Sequence, residues 1–166
     1  MIFRPFNSDD ARTFYRWYHD PRLAAYFRGF THGASLQQCA NAPDYMQAHI
    51  LVGEDSDGQL LGAITFADRD RILRIYKMGL FVDPDQQHQG VGRELLELGL
   101  EWAFDRMNAH KVVAEFMARD GRIIKGAKEA GFTEEGVSRQ SCFFNGVLHD
   151  EVIISILQSE YDRNGA

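Results

Sequence analysis

The sequence predicts one mixed α/β domain over residues 1–166, a mostly antiparallel sheet with one parallel strand pair and helices on both faces. Three observations carry this. An apolar strand end, Gly79–Val82, runs through Asp83 and Pro84 and a polar loop into a long amphipathic segment. A second apolar run, 111–118, follows that segment, and strand–helix–strand order implies a right-handed parallel crossover. Asn145-Gly146 separates two further runs and is a strong hairpin signal, so those strands are antiparallel.

Taken in order, Ile2–Phe6 reads as a short first strand, with Pro5 suited to an edge because it lacks an N–H. Ser8 or Asp9 can cap a helix running to about His19, with Phe14, Trp17 and Tyr18 as its bulky face. Trp17 and Tyr18 are read as packing before substrate contact. Residues 26–44 are irregular, with Gly29, Gly33 and Pro43 as breakers and one short helix near Ser35–Asn41. Three strands follow: Ala48–Glu54, Leu60–Ala67 after an Asp57-Gly58 turn, and Ile72–Val82 after a polar turn at Asp68–Arg71. Gly79, isolated in the last of these, marks a bulge or a close backbone approach. From Gly90 to Asn108, Val91, Leu95, Leu98 and Trp102 form one helical stripe, widened by Leu96, Leu100, Ala103, Phe104 and Met107. A strand Lys111–Ala118, a helix Arg122–Ala130 ended by Gly131, and the strands Glu134–Phe144 and Val147–Leu157 complete the order; Asp162–Ala166 reads as a frayed end.

Composition bounds the function. The formal net charge of −6 argues against a general nucleic-acid binder and fits a cationic substrate such as an amine; solubility explains it equally well. No apolar run approaches a membrane span, and Met1–Pro5 lacks a signal-peptide layout. Only Cys39 and Cys142 occur, with no ligand cluster beside either, so the expectation is a reduced, cytoplasmic setting and no metal.

The loop Gln87-His88-Gln89-Gly90-Val91-Gly92-Arg93 carries the chemistry. Gly90 and Gly92 permit a tight bend and leave N–H groups uncovered at a helix N-terminus, where orphan donors and the dipole attract anions. A generic strand–helix turn would also use two glycines. The loop has neither the third glycine of a dinucleotide fingerprint nor the Lys-Ser/Thr end of a nucleotide P-loop.

Gln87-x-x-Gly90-x-Gly92, directly after a Val-x-Pro strand end, resembles the pyrophosphate loop of the GNAT N-acetyltransferase superfamily. Arg4-Pro5-Phe6, Trp17-Tyr18-His19-Asp20-Pro21 and the ending Asn145–Val152 resemble its ribosomal-protein-type branch. The resemblance implies a splayed central parallel pair and acetyl-CoA as cosubstrate. It gives Leu80, Phe81 and Val82 the pantetheine arm, and Gln87, His88, Gln89, Gly90, Val91, Gly92 and Arg93 the phosphates. Asp120 stands where the family usually has Asn, and Gly131-Phe132 fits its second block. Phe27, Arg28, Phe30 and His32 would line an acceptor site or tuck into the core. Arg122, Lys125 and Lys128 read as exposed helix charges, and Arg93 as a phosphate contact.

Transfer to an amine requires proton removal, carbonyl polarisation and thiolate departure. Where many members place a basic Glu on the strand before the loop, this chain has Lys77; where many have the tyrosine acid, it has Ala127. The other recurrent place is Glu115, which resembles the glutamate of enzymes acting on protein N-termini. Glu115 shares a strand face with Val113 and Met117. Among apolar neighbours it would become a useful base; beside a Lys or Arg it would be a paired ion. The resulting expectation is an N-acetyltransferase, monomeric or homodimeric, acting on a protein N-terminus or small amine by direct transfer in a ternary complex. The rival is an acyl-CoA-binding module with little turnover.

Overall fold

The computed structural model describes residues 1–23 and 34–164, with side chains described to Tyr161. It is a mixed α/β protein with a seven-stranded sheet in the order β1-β2-β3-β4-β5-β7-β6. Two compact units divide the chain: Met1–Ala67 with Gly79–Leu100, and Asp68–Met78 with Glu101–Ala166.

In the first unit, β1 (Ile2–Pro5) pairs antiparallel with β2 (Ala48–Glu54), and β2 with β3 (Leu60–Asp70). Asn7, rather than Ser8 or Asp9, opens the first helical segment: its side chain accepts the Asp9 N–H at 2.8 Å and starts a 3-10 turn, Ser8–Asp10. The Asp10 carboxylate is drawn inward instead, where it accepts the Asn7 N–H and two Arg4 N–H groups, each at 2.9 Å. A carboxylate fixed by that network has one stable rotamer, so it fixes the entry of α1 (Ala11–His19). Phe14 and Trp17, at 0 and 1% exposure, are core, as is Tyr18. Phe14 meets Phe6, Trp17, Tyr18 and Phe81 with ring centroids 4.9–6.1 Å apart. Burying each such ring contributes about 1.5–3 kcal/mol. After Ser35, whose hydroxyl caps α2 (Leu36–Ala40), comes a helix that the sequence pattern does not suggest, α3 (Ala42–Met46). Pro43 lies in its first turn, where its missing N–H costs nothing, so it opens a helix and breaks none.

In the second unit, the turn between β3 and β4 (Ile75–Val82) falls three residues later than the pattern implies. Asp70 accepts the Leu73 N–H at 2.8 Å and Arg74 takes φ +55°, so Ile72 lies in the turn at 92% exposure. β4 pairs in parallel with β5 (Lys111–Met117) through Ile75↔Lys111, Tyr76↔Val112 and Lys77↔Val113. β5 pairs antiparallel with β7 (Val147–Leu157), and β7 with β6 (Thr133–Phe144). Asn145 and Gly146 both have positive φ, +50° and +78°, as the tight hairpin requires. The long helix is interrupted: α4 (Val91–Glu101) ends and Trp102–Arg106 forms a π turn, with Met107 N–H bonded to Trp102 C=O. α5 spans Gly121–Glu129. Of the end expected to fray, 162–164 is helical: α6 covers Gln158–Asn164, held by the Gln158 N–H on His110 C=O and by Tyr161 stacked on Phe104 at 4.7 Å, and 165–166 lie outside the described residues. Among the described residues no helix is long and apolar enough to cross a membrane.

Candidate functional site

The loop after β4 is built from Asp83 outward. Asp83 is 1% exposed. Its backbone N–H donates to Leu61 C=O at 2.8 Å, which ties the strand end to β3. Its carboxylate accepts the Asp85 N–H at 2.9 Å and so caps the 3-10 turn Pro84–Gln86. The same carboxylate accepts the Trp17 indole N–H at 2.8 Å and pairs with Arg16, both from α1. Sequence reasoning missed Asp83 and Arg16. The signal was there in Asp-Pro, a helix-opening pair, but its partners lie 66 and 67 residues away.

Beyond that anchor, Gln87, His88, Gln89 and Gly90 are exposed, and α4 begins at Val91. The two glycines do different things. Gly90 has φ +87°, a left-handed conformation that other residues adopt only with strain. Gly92 needs no such freedom; a Cβ there would come 3.3 Å from Val82 Cγ2, so it permits a close approach of helix to strand. His88 is itself left-handed, at φ +64°, a conformation uncommon for residues other than glycine. Gly79 is a close approach too: an added Cβ would sit 2.7 Å from Thr65 Oγ1. Phe81 points its ring into the core, and Leu80 and Val82 are half-buried. Arg93, 83% exposed, has Nε on Glu97 Oε1 at 2.9 Å. Lys125 and Lys128 pair with Glu129 and Glu134 at 3.8 and 2.7 Å, as surface helix charges do.

In the second unit, Glu115 is the first residue on its face of β5 beyond the last parallel pair, Lys77↔Val113. Lys77 Nζ donates to its Oε2 at 2.5 Å, and Arg69 Nη1 stands 3.8 Å from Oε1. Glu115 is therefore a paired ion, and the purely apolar surroundings of the other reading are not found. The side chain keeps 18% of its surface open. Ala127 is core at 4% exposure, and the Phe132 N–H donates to its carbonyl.

Asp120 precedes α5, and its carbonyl accepts from Ile123 and Ile124 N–H at 2.9 and 3.2 Å. Its side chain makes no cap, and Oδ2 is buried with no hydrogen-bond partner. Burial raises the Asp120 pKa, against smaller opposing effects of Arg119 and His149. A carboxyl whose folded pKa is raised adds most stability below its unfolded pKa and loses that as pH rises through the folded value. Asp120→Asn, the residue usual in the family, should therefore raise the melting temperature at neutral pH. The gap should close below about pH 4, where the aspartate is protonated in both states. A mutant that melts at or below the wild-type temperature at pH 7 would remove that account.

Cys39 and Cys142 are 0 and 3% exposed, and burial pushes the Cys39 thiol up to about 11. Both side chains are shut away from solvent, and Cys39 is held as the thiol. The Cys39→Ala, Cys142→Ala double mutant should keep wild-type turnover per folded molecule, and an acetyl-cysteine trapped by mass spectrometry would contradict this. Among the described residues no cluster of three or more His, Cys, Asp or Glu could hold a metal. Phe27, Arg28, Phe30 and His32 lie outside the described residues.

A glycine-turned loop that feeds a helix N-terminus from the end of a strand is built to receive an anion. Residues 1–133 match the acetyltransferase (GNAT) domain family, and the chain belongs to it. It is 29% identical over 110 residues to the spermidine N(1)-acetyltransferase of Vibrio cholerae, a match covering 66% of this chain and 64% of that protein. It is 24% identical over 106 residues to the putative ribosomal N-acetyltransferase YdaF of Bacillus subtilis, covering 64% of this chain and 58% of that one. These matches span less than two thirds of the relatives' own lengths. The crystal structure of spermidine N-acetyltransferase from Vibrio cholerae in complex with CoA and spermine superposes with a TM-score of 0.88 over 96% of both chains. Its identity of 22% makes this a likeness of fold.

Proposed function

We propose that this chain transfers an acetyl group from acetyl-CoA to a primary amine. The observation that carries the proposal is the loop Gln87–Arg93, opening α4 through a left-handed Gly90 within a matched acetyltransferase domain. The N–H groups there would receive the pyrophosphate, with Gln87, His88, Gln89, Val91, Gly92 and Arg93 around it. The backbone of Leu80, Phe81 and Val82 would receive the pantetheine arm, and Asp120 belongs to the cosubstrate region by its place in the second family block. The amine, once neutral, attacks the thioester carbonyl; the C–N bond forms, the C–S bond breaks, and the second proton lost by the attacking nitrogen is taken up by the departing CoA thiolate. Glu115 takes the proton from the ammonium, directly or through a water, and Lys77 holds its carboxylate in place.

The acceptor is a small aliphatic amine. The net charge of −6 favours a cation, and the similarity to spermidine acetyltransferases points the same way. A second reading, a CoA-binding module with little turnover, draws on Lys77 against Glu115 and on the buried Ala127. Release of CoA thiol with spermidine, simple diamines and N-terminal peptides separates them. Release with a small amine supports the proposal, and release with peptides alone moves the acceptor to a protein N-terminus. Tight binding of acetyl-CoA with no release on any acceptor supports the module.

A further inference from the structure

We propose that Asp83 is the positioning residue of the phosphate loop, holding the cradle of N–H groups at its working place through α1; this rests on the acetyl-CoA reading above. Asp83 is the point where β4 stops being strand and the loop begins, and every polar group it carries is engaged. The backbone N–H is on Leu61 C=O at 2.8 Å, and the C=O accepts the Gln86 N–H at 2.8 Å. Oδ1 accepts the Asp85 N–H at 2.9 Å; Oδ2 takes Arg16 and the Trp17 indole N–H. At 1% exposure these bonds face little competition from water.

The wiring has a direction. Trp17 is fixed in the core against Phe14 and Phe81, with ring centroids at 5.1 and 5.3 Å. It is therefore the rigid end, and the exposed residues 87–90 are the end to be placed. A second tie runs parallel to the first: Arg22, just past α1, bridges Asp20 at 2.7 Å and Asp85 at 3.0 Å. That pair is exposed and adds little; the buried carboxylate is the one that fixes geometry. A misplacement of about 1 Å at such a loop matters because the N–H groups act on the phosphates only at hydrogen-bond range.

Asp83 cannot be replaced by its amide without loss. Asn has one acceptor oxygen, whereas three donors, from Arg16, Trp17 and Asp85, converge here. One tie must go, and the amide N–H₂ then faces a donor.

The test compares acetyl-CoA with acetyl-pantetheine, which has the thioester and the arm but no pyrophosphate. With acetyl-CoA, Asp83→Asn should raise KM about 10-fold and leave kcat within about twofold, because the loss is one of binding. With acetyl-pantetheine, kcat/KM should be the same for mutant and wild type. Arg16→Met, a change at a half-exposed side chain that leaves the core intact, should give the same pattern more weakly. A mutant that loses equally on both thioesters shows a general structural role and overturns the proposal, as does one that loses on neither. If wild type itself fails to prefer acetyl-CoA over acetyl-pantetheine, the phosphate-loop reading falls first, independently of Asp83.

Discussion

Glu115→Gln should cut turnover on a protonated amine by about 10²–10⁴-fold at neutral pH while acetyl-CoA binding is retained. Gln is the same size but cannot accept a proton. The loss should shrink as pH rises, because free amine becomes available without help from the enzyme. Two cations complicate the readout. Lys77 at 2.5 Å and Arg69 at 3.8 Å would face each other across a neutral amide, so the mutant should also lose some stability. The pair is partly exposed, at 44% for Lys77 and 18% for Glu115, and that loss should be about 1 kcal/mol or less. Melting temperature and the pH–rate profile, normalised to folded protein, keep the two effects apart. A mutant with wild-type turnover at pH 7 and a lowered melting point would make Glu115 the counter-ion of Lys77 and Arg69. Rate would then come from proximity of amine and thioester.

Acetyl-CoA at a hundredfold over its dissociation constant should stabilise the protein by about 2.7 kcal/mol, since it binds the folded loop and not the unfolded chain. For a chain of this size that corresponds to a rise of about 5–10 °C in melting temperature. Gly92→Asp should abolish the rise while leaving the free protein folded. The backbone at Gly92 is open to other residues, and the new Cβ asks only a few tenths of an ångström of Val82. An aspartate in a first helical turn also suits the dipole. Its charge, however, would stand against the phosphates. Equal thermal shifts in mutant and wild type would disprove the cradle assignment. Gly90→Asp would be a poorer experiment, because φ +87° makes any side chain there strained.

Much of this was legible from local signals. Asn145-Gly146, Asp57-Gly58 and the stripe Val91–Leu100 each depend on residues close in sequence, and each appears where the pattern puts it. What failed to be legible depends on distant partners or on competition between local options. Asn7 caps in place of Ser8 or Asp9 because Arg4 holds the Asp10 carboxylate where it accepts the Asn7 N–H, closing a reciprocal capping box on Asn7. The turn before β4 slides to 71–74 because Asp70 can bond the Leu73 N–H, although Ile72 and Leu73 look like strand residues. The helix Gln158–Asn164 forms from a polar segment because His110 and Phe104 supply its anchors.

The sequence by itself determined the class of chemistry: a glycine pair at a fixed spacing after Val-x-Pro, the order of strands and helices, and membership in the GNAT family. Those are properties of short segments, where backbone conformation and periodicity follow from neighbouring residues. Only the tertiary structure decided which ions face one another. Glu115 could have stood among Val113 and Met117 alone, and it is the pairing of β4 with β5 that brings Lys77 to it. Asp83 could have been an ordinary loop residue, and it is the packing of α1 that turns Arg16 and Trp17 onto it. A side chain's charge, burial and partners are set by elements far along the chain, and no periodicity in the local sequence encodes them.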